Sequence, residues 1–158
     1  MKTIEKVVQQ FKKNKVDSIY GDLYYVKANN LNEVVRYWKS SKFILGSFKK
    51  GWHPPHPTLF LKKHVYDKYG VFDLSMKVSA DFEIMLRFLE KFKISTFYLS
   101  KTLVKMRIGG ESNKNIKNII VGNKNILNAF KKNGIKVNMM IYPNIRLVPK
   151  LKQFIVKN

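Results

Sequence analysis

Residues 18–26 read SIYGDLYYV, and the fold turns on this stretch. Isoleucine, tyrosine, leucine and valine fill it with no run of charge, the composition of a buried strand. A buried strand needs hydrogen-bonding neighbours on both edges. Candidates are few: VVRYW at 34–38, TLFLK from Thr58, STFYLS from Ser95 and TLVKMRI from Thr102. The sequence therefore predicts a mixed α/β unit whose sheet is short of strands, as though cut from a larger one.

Helices are placed around that strand by apolar spacing. Ile4, Val7, Val8 and Phe11 give an amphipathic helix over 3–15. A short helix over 63–69 is stopped by Gly70, one over 80–92 is capped by Ser79, and one over 115–132 is ended by Gly134. Asn29, Asn30 and Asn32 mark a turn, and residues 40–57 read as irregular. That stretch ends in GWHPPHP, where Pro54, Pro55 and Pro57 favour a stiff extended loop. Leu147, Leu151, Phe154 and Ile155 among lysines suggest a basic amphipathic tail broken near Pro149. The division expected is a unit over 1–135 and a tail over 136–158.

The formal charge of +21 comes from 31 basic residues against ten acidic ones, but the arginines are only Arg36, Arg87, Arg107 and Arg146. Specific readers of nucleic acid lean on arginine forks, and the lysines here are scattered along the chain. A lysine-rich surface accounts for the charge, while contact with an anionic membrane surface or a phosphate polymer stays open. No apolar run approaches the ~20 residues of a membrane-spanning helix. Cysteine is absent, so disulfides and thiolate metal sites are excluded, and a reducing cytoplasmic location fits.

Among titratable groups, Asp81 stands out in SADFEIMLRFLEKF, residues 79–92. Helical spacing puts Phe82, Met85, Leu86, Phe88, Leu89 and Phe92 on one wide face, and Glu83, Arg87, Glu90 and Lys91 on the opposite one. Asp81 projects with the apolar face. It either accepts free backbone N–H groups of the first turn or serves as a general base at the rim of a cleft. Trp52, His53 and His56 sit in the proline loop, where such groups shape a pocket wall for a sugar or nucleotide. His53 and His56 lack the further partners a zinc site needs, and His64 reads as a surface residue. In MRIGGESN, Arg107 with Gly109 and Gly110 suits a phosphate or a plain connector. Neither of the usual glycine-rich nucleotide loops occurs.

Taken together, DSIYGDLYYV, VVRYW, GWHPPHPTLFLKKHVYDKYGVFD, SADFEIMLRFL and TLVKMRIGGESN resemble the bacterial inverting glycosyltransferases of family 2, especially those acting on cell-envelope polysaccharides. The similarity covers about residues 1–133 in the family's order. It implies an incomplete GT-A-like fold, a nucleotide-sugar donor, and a glycan or lipid-linked acceptor. Asp81 would deprotonate the acceptor hydroxyl; Ala80 stands where the family usually has glutamate. Trp52, His53 and His56 would line the acceptor side, and Arg107, Gly109 and Gly110 would close over the donor diphosphate. The resemblance further implies a divalent metal, magnesium or manganese, held by an Asp-x-Asp pair that this sequence does not contain.

From that departure the sequence is expected to lack the N-terminal nucleotide-binding βαβ region and to be inactive alone. The expected location is cytoplasmic, with peripheral contact at the inner membrane face through the tail. A non-catalytic basic module binding glycan or nucleic acid is the alternative; nucleic acid would betray itself by a steep salt dependence.

Overall fold

A computed structural model of the chain describes residues 2–109, 116–138 and 140–147. The strand that opened the reading, β1 (Ser18–Val26), is the centre of a four-stranded sheet. Along one edge runs β4 (Thr96–Arg107), parallel to it. The other edge is shared by β2 (Val34–Trp38), antiparallel against Leu23–Val26, and β3 (Phe60–Leu61), antiparallel against Ser18–Ile19. Both edges of β1 are therefore paired from within the described residues, contrary to the expected shortage of neighbours. STFYLS and TLVKMRI supply the missing strand by running together: they are one strand of 12 residues, not two.

That union has a cost in register, which slips between Tyr20 and Asp22 as the partner of β1 jumps from Tyr98 to Thr102. Gly21 is the residue that tolerates the slip. A Cβ at Gly21 would lie 2.6 Å from both the Lys101 carbonyl oxygen and Leu103 Cγ. Its other side faces the gap between β3 and β2, which the Thr58 hydroxyl fills. Thr58 Oγ1 accepts the Gly21 N–H at 3.3 Å and lies 3.0 Å from the Gly21 carbonyl and 2.8 Å from that of Pro55.

Two apolar clusters hold this frame. Helix α1 (Thr3–Lys13) lays Val7 and Phe11 against Ile19, Leu103, Phe97 and Leu99. The larger cluster joins Phe48 to α2 (Lys63–Tyr69), α3 (Ala80–Met85, continued by a π-helical turn over Leu86–Lys91), α4 (Ile116–Lys132) and α5 (Tyr142–Ile145). The π turn is closed by the Phe92 N–H donating to the Arg87 carbonyl at 2.9 Å. Gly70 ends α2 as expected, at φ +84°, with its N–H on the Tyr66 carbonyl.

On the charged face of α3 the two carboxylates, Glu83 and Glu90, are buried, while Lys91 is exposed. Glu83 is 1% exposed and carries Arg87 at 3.1 Å and Asn133 Nδ2 at 3.1 Å. Glu90 accepts the Gly46 N–H at 2.8 Å and the Phe48 N–H at 3.1 Å, pinning the irregular loop. Charges at helical spacing mark a solvent face only when nothing covers them, and here the 43–50 loop and α4 do. Ser79 holds the N-cap position of α3 as expected, but its side chain makes no cap bond: a 3₁₀ turn (Leu74–Ser79) runs straight into the helix, and Ser79 Oγ donates to the Gly122 carbonyl at 3.1 Å.

The start of the supposed tail is docked. Tyr142 is buried, packs against Phe130 with ring centroids 4.8 Å apart, and donates its hydroxyl to the Phe48 carbonyl at 2.8 Å. Pro149, Leu151, Phe154 and Ile155 lie outside the described residues, as do Gly110 and the rest of GGESN. Among the described residues no helix is long and apolar enough to cross a membrane.

Candidate functional site

The proline loop and the head of α3 meet. Pro55 and Pro57 bracket His56, which opens a 3₁₀ turn (His56–Thr58) anchored on β1 through Thr58. That anchorage sets His56 Nδ1 2.9 Å from Asp81 Oδ2. Asp81 Oδ1 accepts the Phe82 N–H at 2.8 Å, so one oxygen satisfies the first turn and the other holds the imidazole. The expected contact with a free N–H of the first turn is present, and the second oxygen of Asp81 is engaged by a histidine. Burial pushes the Asp81 carboxyl up, but the His56 hydrogen bond and charge, the Phe82 N–H and the charge of His53 outweigh it, leaving it below the usual range. Asp81 is ionised at neutral pH. His56 Nδ1 donates to Asp81, and Nε2 is the other ring nitrogen of a side chain that is 46% exposed.

His53 lies behind this pair and is differently placed. Its ring stacks on Phe48 at 5.7 Å and meets Trp38 and Phe82 edge-on, each at 5.4 Å, and its Nδ1 donates to the Pro54 carbonyl at 2.9 Å. Burial drives its pKa down to about 4, with the Arg146 charge adding to it, so it is a neutral, packed wall. Trp52 is half-buried and fixed by its N–H on the Ser47 carbonyl.

The diphosphate candidates do not join this cluster. Arg107 closes β4 opposite Val26 and is exposed; Gly109 follows at φ +102° in open space. Gly110 falls outside the described residues.

Sequence reasoning missed four contributors. Tyr25 and Arg36 come from the β1–β2 pair, with Arg36 Cζ 4.5 Å from the Tyr25 ring. Trp38 ends β2 against His53, with Arg36 Cζ 5.7 Å from its ring. Arg146 arrives from the end of α5, Cζ 5.7 Å from the Phe82 ring and Nη1 donating to Asn123 Oδ1 at 2.9 Å. Asp81 favours the Arg146 cation, although burial leaves its pKa below the ordinary value. Burial also raises the Tyr25 phenol, against the pull of Arg36 and with a push from Asp81. The one signal in the sequence was rarity: Arg36 and Arg146 are two of only four arginines.

The described residues do not assemble a divalent-metal site: no three His, Asp or Glu side chains among them come together to hold the ion. Asp22 is buried mid-strand and accepts from the Tyr37 hydroxyl (2.7 Å), the Tyr98 hydroxyl (2.8 Å) and the Ser40 N–H (2.7 Å). Comparison with protein-family models, curated proteins and solved structures gives no match to this chain.

Proposed function

We propose that this chain forms the acceptor side of an inverting sugar transferase with a GT-A-like sheet, and that the Asp81–His56 pair deprotonates the acceptor hydroxyl. The observation that carries the reading is the 2.9 Å contact from Asp81 Oδ2 to His56 Nδ1, which leaves Nε2 as the nitrogen for the acceptor proton. His56 Nε2 takes the hydroxyl proton, and Asp81 stabilises the imidazolium that results. The freed oxygen forms its bond to the anomeric carbon of a nucleotide sugar from the face opposite the diphosphate. The anomeric C–O bond breaks and the diphosphate leaves with its electron pair. No step is assigned to a metal.

The resemblance in GWHPPHP and SADFE supports this reading, as does the mixed sheet that positions both motifs. The test is transfer of labelled sugar from a panel of nucleotide sugars to cell-envelope glycan extracts, using protein purified from its native cells. Asp81→Asn and His56→Gln should each lower transfer about 100-fold or more, with circular dichroism unchanged. Full transfer by Asp81→Asn would remove the assignment.

A second reading, a glycan-binding module without turnover, is favoured by the ring surfaces of Trp38, His53 and Phe82 that run beside the pair. It predicts glycan binding with no transfer under any of those conditions. Peripheral contact with the inner membrane face is assigned to residues 148–158; their deletion spares Tyr142 and Arg146 and should weaken binding to anionic liposomes. Equal binding by the truncated chain would argue against that contact.

A further inference from the structure

The four arginines divide cleanly by role. Arg87 is tied to Glu83 and to the Tyr69 and Val71 carbonyls, and Arg107 ends β4 exposed. Arg36 and Arg146 instead stand at the two ends of one row of rings. Arg36 lies over Tyr25 and Trp38; Trp38 meets His53, His53 meets Phe82, and Arg146 lies over Phe82. The Asp81–His56 pair lies beside that row, Asp81 adjoining Phe82 in the chain.

Arg146 is built in from three directions. Tyr142 anchors α5 to the Phe48 carbonyl. Gly51 sits so close that a Cβ there would lie 2.8 Å from the Ile145 carbonyl oxygen and 3.0 Å from Arg146 Cα. Asn123 Oδ1 accepts one guanidinium N–H at 2.9 Å. Among the described residues that is the hydrogen bond Arg146 makes, so most of the five N–H donors of a guanidinium are unspent there. The nearby carboxylate, Asp81, is already committed to His56 and the Phe82 N–H. Asp81 favours the Arg146 cation without taking up its N–H donors, which stay available to a further anion. In a chain that uses lysine almost everywhere else, a fixed guanidinium fork suits a planar or tetrahedral oxyanion better than an ammonium does.

We infer that the sugar taken by this site carries an oxyanion, a carboxylate or a phosphate, received by Arg146 while a hydroxyl reaches the Asp81–His56 pair. The inference rests on the sugar-binding reading of that site. It is tested by NMR titration of the chain with glucuronate, glucose 6-phosphate, glucose and inorganic phosphate, for the wild type, Arg146→Gln and Arg146→Lys. At least one anionic sugar should bind about tenfold or more tightly than glucose, and whichever does so identifies carboxylate or phosphate as the group. Arg146→Gln should erase the preference, and Arg146→Lys should restore part of it.

Equal binding of glucose and the anionic sugars overturns the oxyanion and leaves the sugar reading standing. Inorganic phosphate binding as tightly as the sugar phosphate, with no binding of glucose, marks an adventitious ion only and removes the sugar reading too. An unchanged preference in Arg146→Gln also overturns the inference; if that variant does not fold, an unchanged preference in Arg146→Lys does so instead.

Discussion

Lowering the pH to 5 should cost this protein about 2 kcal/mol of stability through His53 alone. The native pKa of about 4, against 6.5 for an unperturbed histidine, means that the unfolded chain takes up the proton first. Stability is then complete above about pH 6.5 and declines as the pH falls toward 4. Two-state linkage gives a loss of about 2 kcal/mol at pH 5 and about 3 kcal/mol at pH 4. The cause is geometric: the ring is packed among Phe48, Trp38 and Phe82, and Arg146 adds a like charge nearby. Asp17, Asp73 and Asp81, all with lowered pKa values, contribute their losses below the ordinary carboxylate range, in a separate window. Urea unfolding followed by circular dichroism at pH 7.5, 6, 5 and 4.5 measures the slope. His53→Phe keeps the stacking and removes the titration, so its stability should change far less between pH 6.5 and 4.5. A flat wild-type profile across that interval, or an equal slope in His53→Phe, would show that His53 does not set the pH dependence.

Gly21→Ala should destabilise by about 2–3 kcal/mol, the range of overpacking, because the new methyl group meets the Lys101 carbonyl. Gly46→Ala, at φ +89° with open space around it, should lose only about 1–2 kcal/mol. Urea midpoints compare the two, and an equal loss would deny the tight approach of β4 to β1. Glu90→Ala should cost about 2–4 kcal/mol by releasing the Gly46 and Phe48 amides; hydrogen exchange at those two amides should rise, and unchanged exchange would show that the carboxylate does not hold the loop. Thr58→Val should cost about 1–3 kcal/mol, since valine cannot accept the Gly21 N–H, and thermal unfolding measures it.

Much of the frame was legible because it depends on local pattern. SIYGDLYYV and VVRYW became strands with the expected limits, and KHVYDKY became the helix that Gly70 closes. What failed were judgements about partners. Ser100 and Lys101 look like a break between two strands, yet β4 continues through them because β1 runs alongside and Gly21 absorbs the slip. Glu83 and Glu90 look like a solvent face, yet Asn133 and the Gly46–Phe48 loop cover them. The same limit applies at the site. Asp81 and His56 could each be singled out by chemistry, but their contact joins a turn to a helix 25 residues later. Tyr25 and Arg146 carried no local mark, since Asp81 acts on them only in a fold where β1 is paired and Tyr142 is docked.

The parallel pairing of β1 with β4 also sets an order of events during synthesis. Asp17 and Ser95, which open the two strands, are bonded across 78 residues, whereas β2 can fold back on β1 at once as a hairpin. At roughly 5–20 residues per second, the free edge of β1 waits roughly 4–16 s for its partner to leave the ribosome. Throughout that interval the edge of SIYGDLYYV that will take β4 is an unpaired template, open to any passing strand. The slow element of this chain's birth is the closing of the strand that the rest of the molecule is built upon, and the proline loop cannot take its final seat before then.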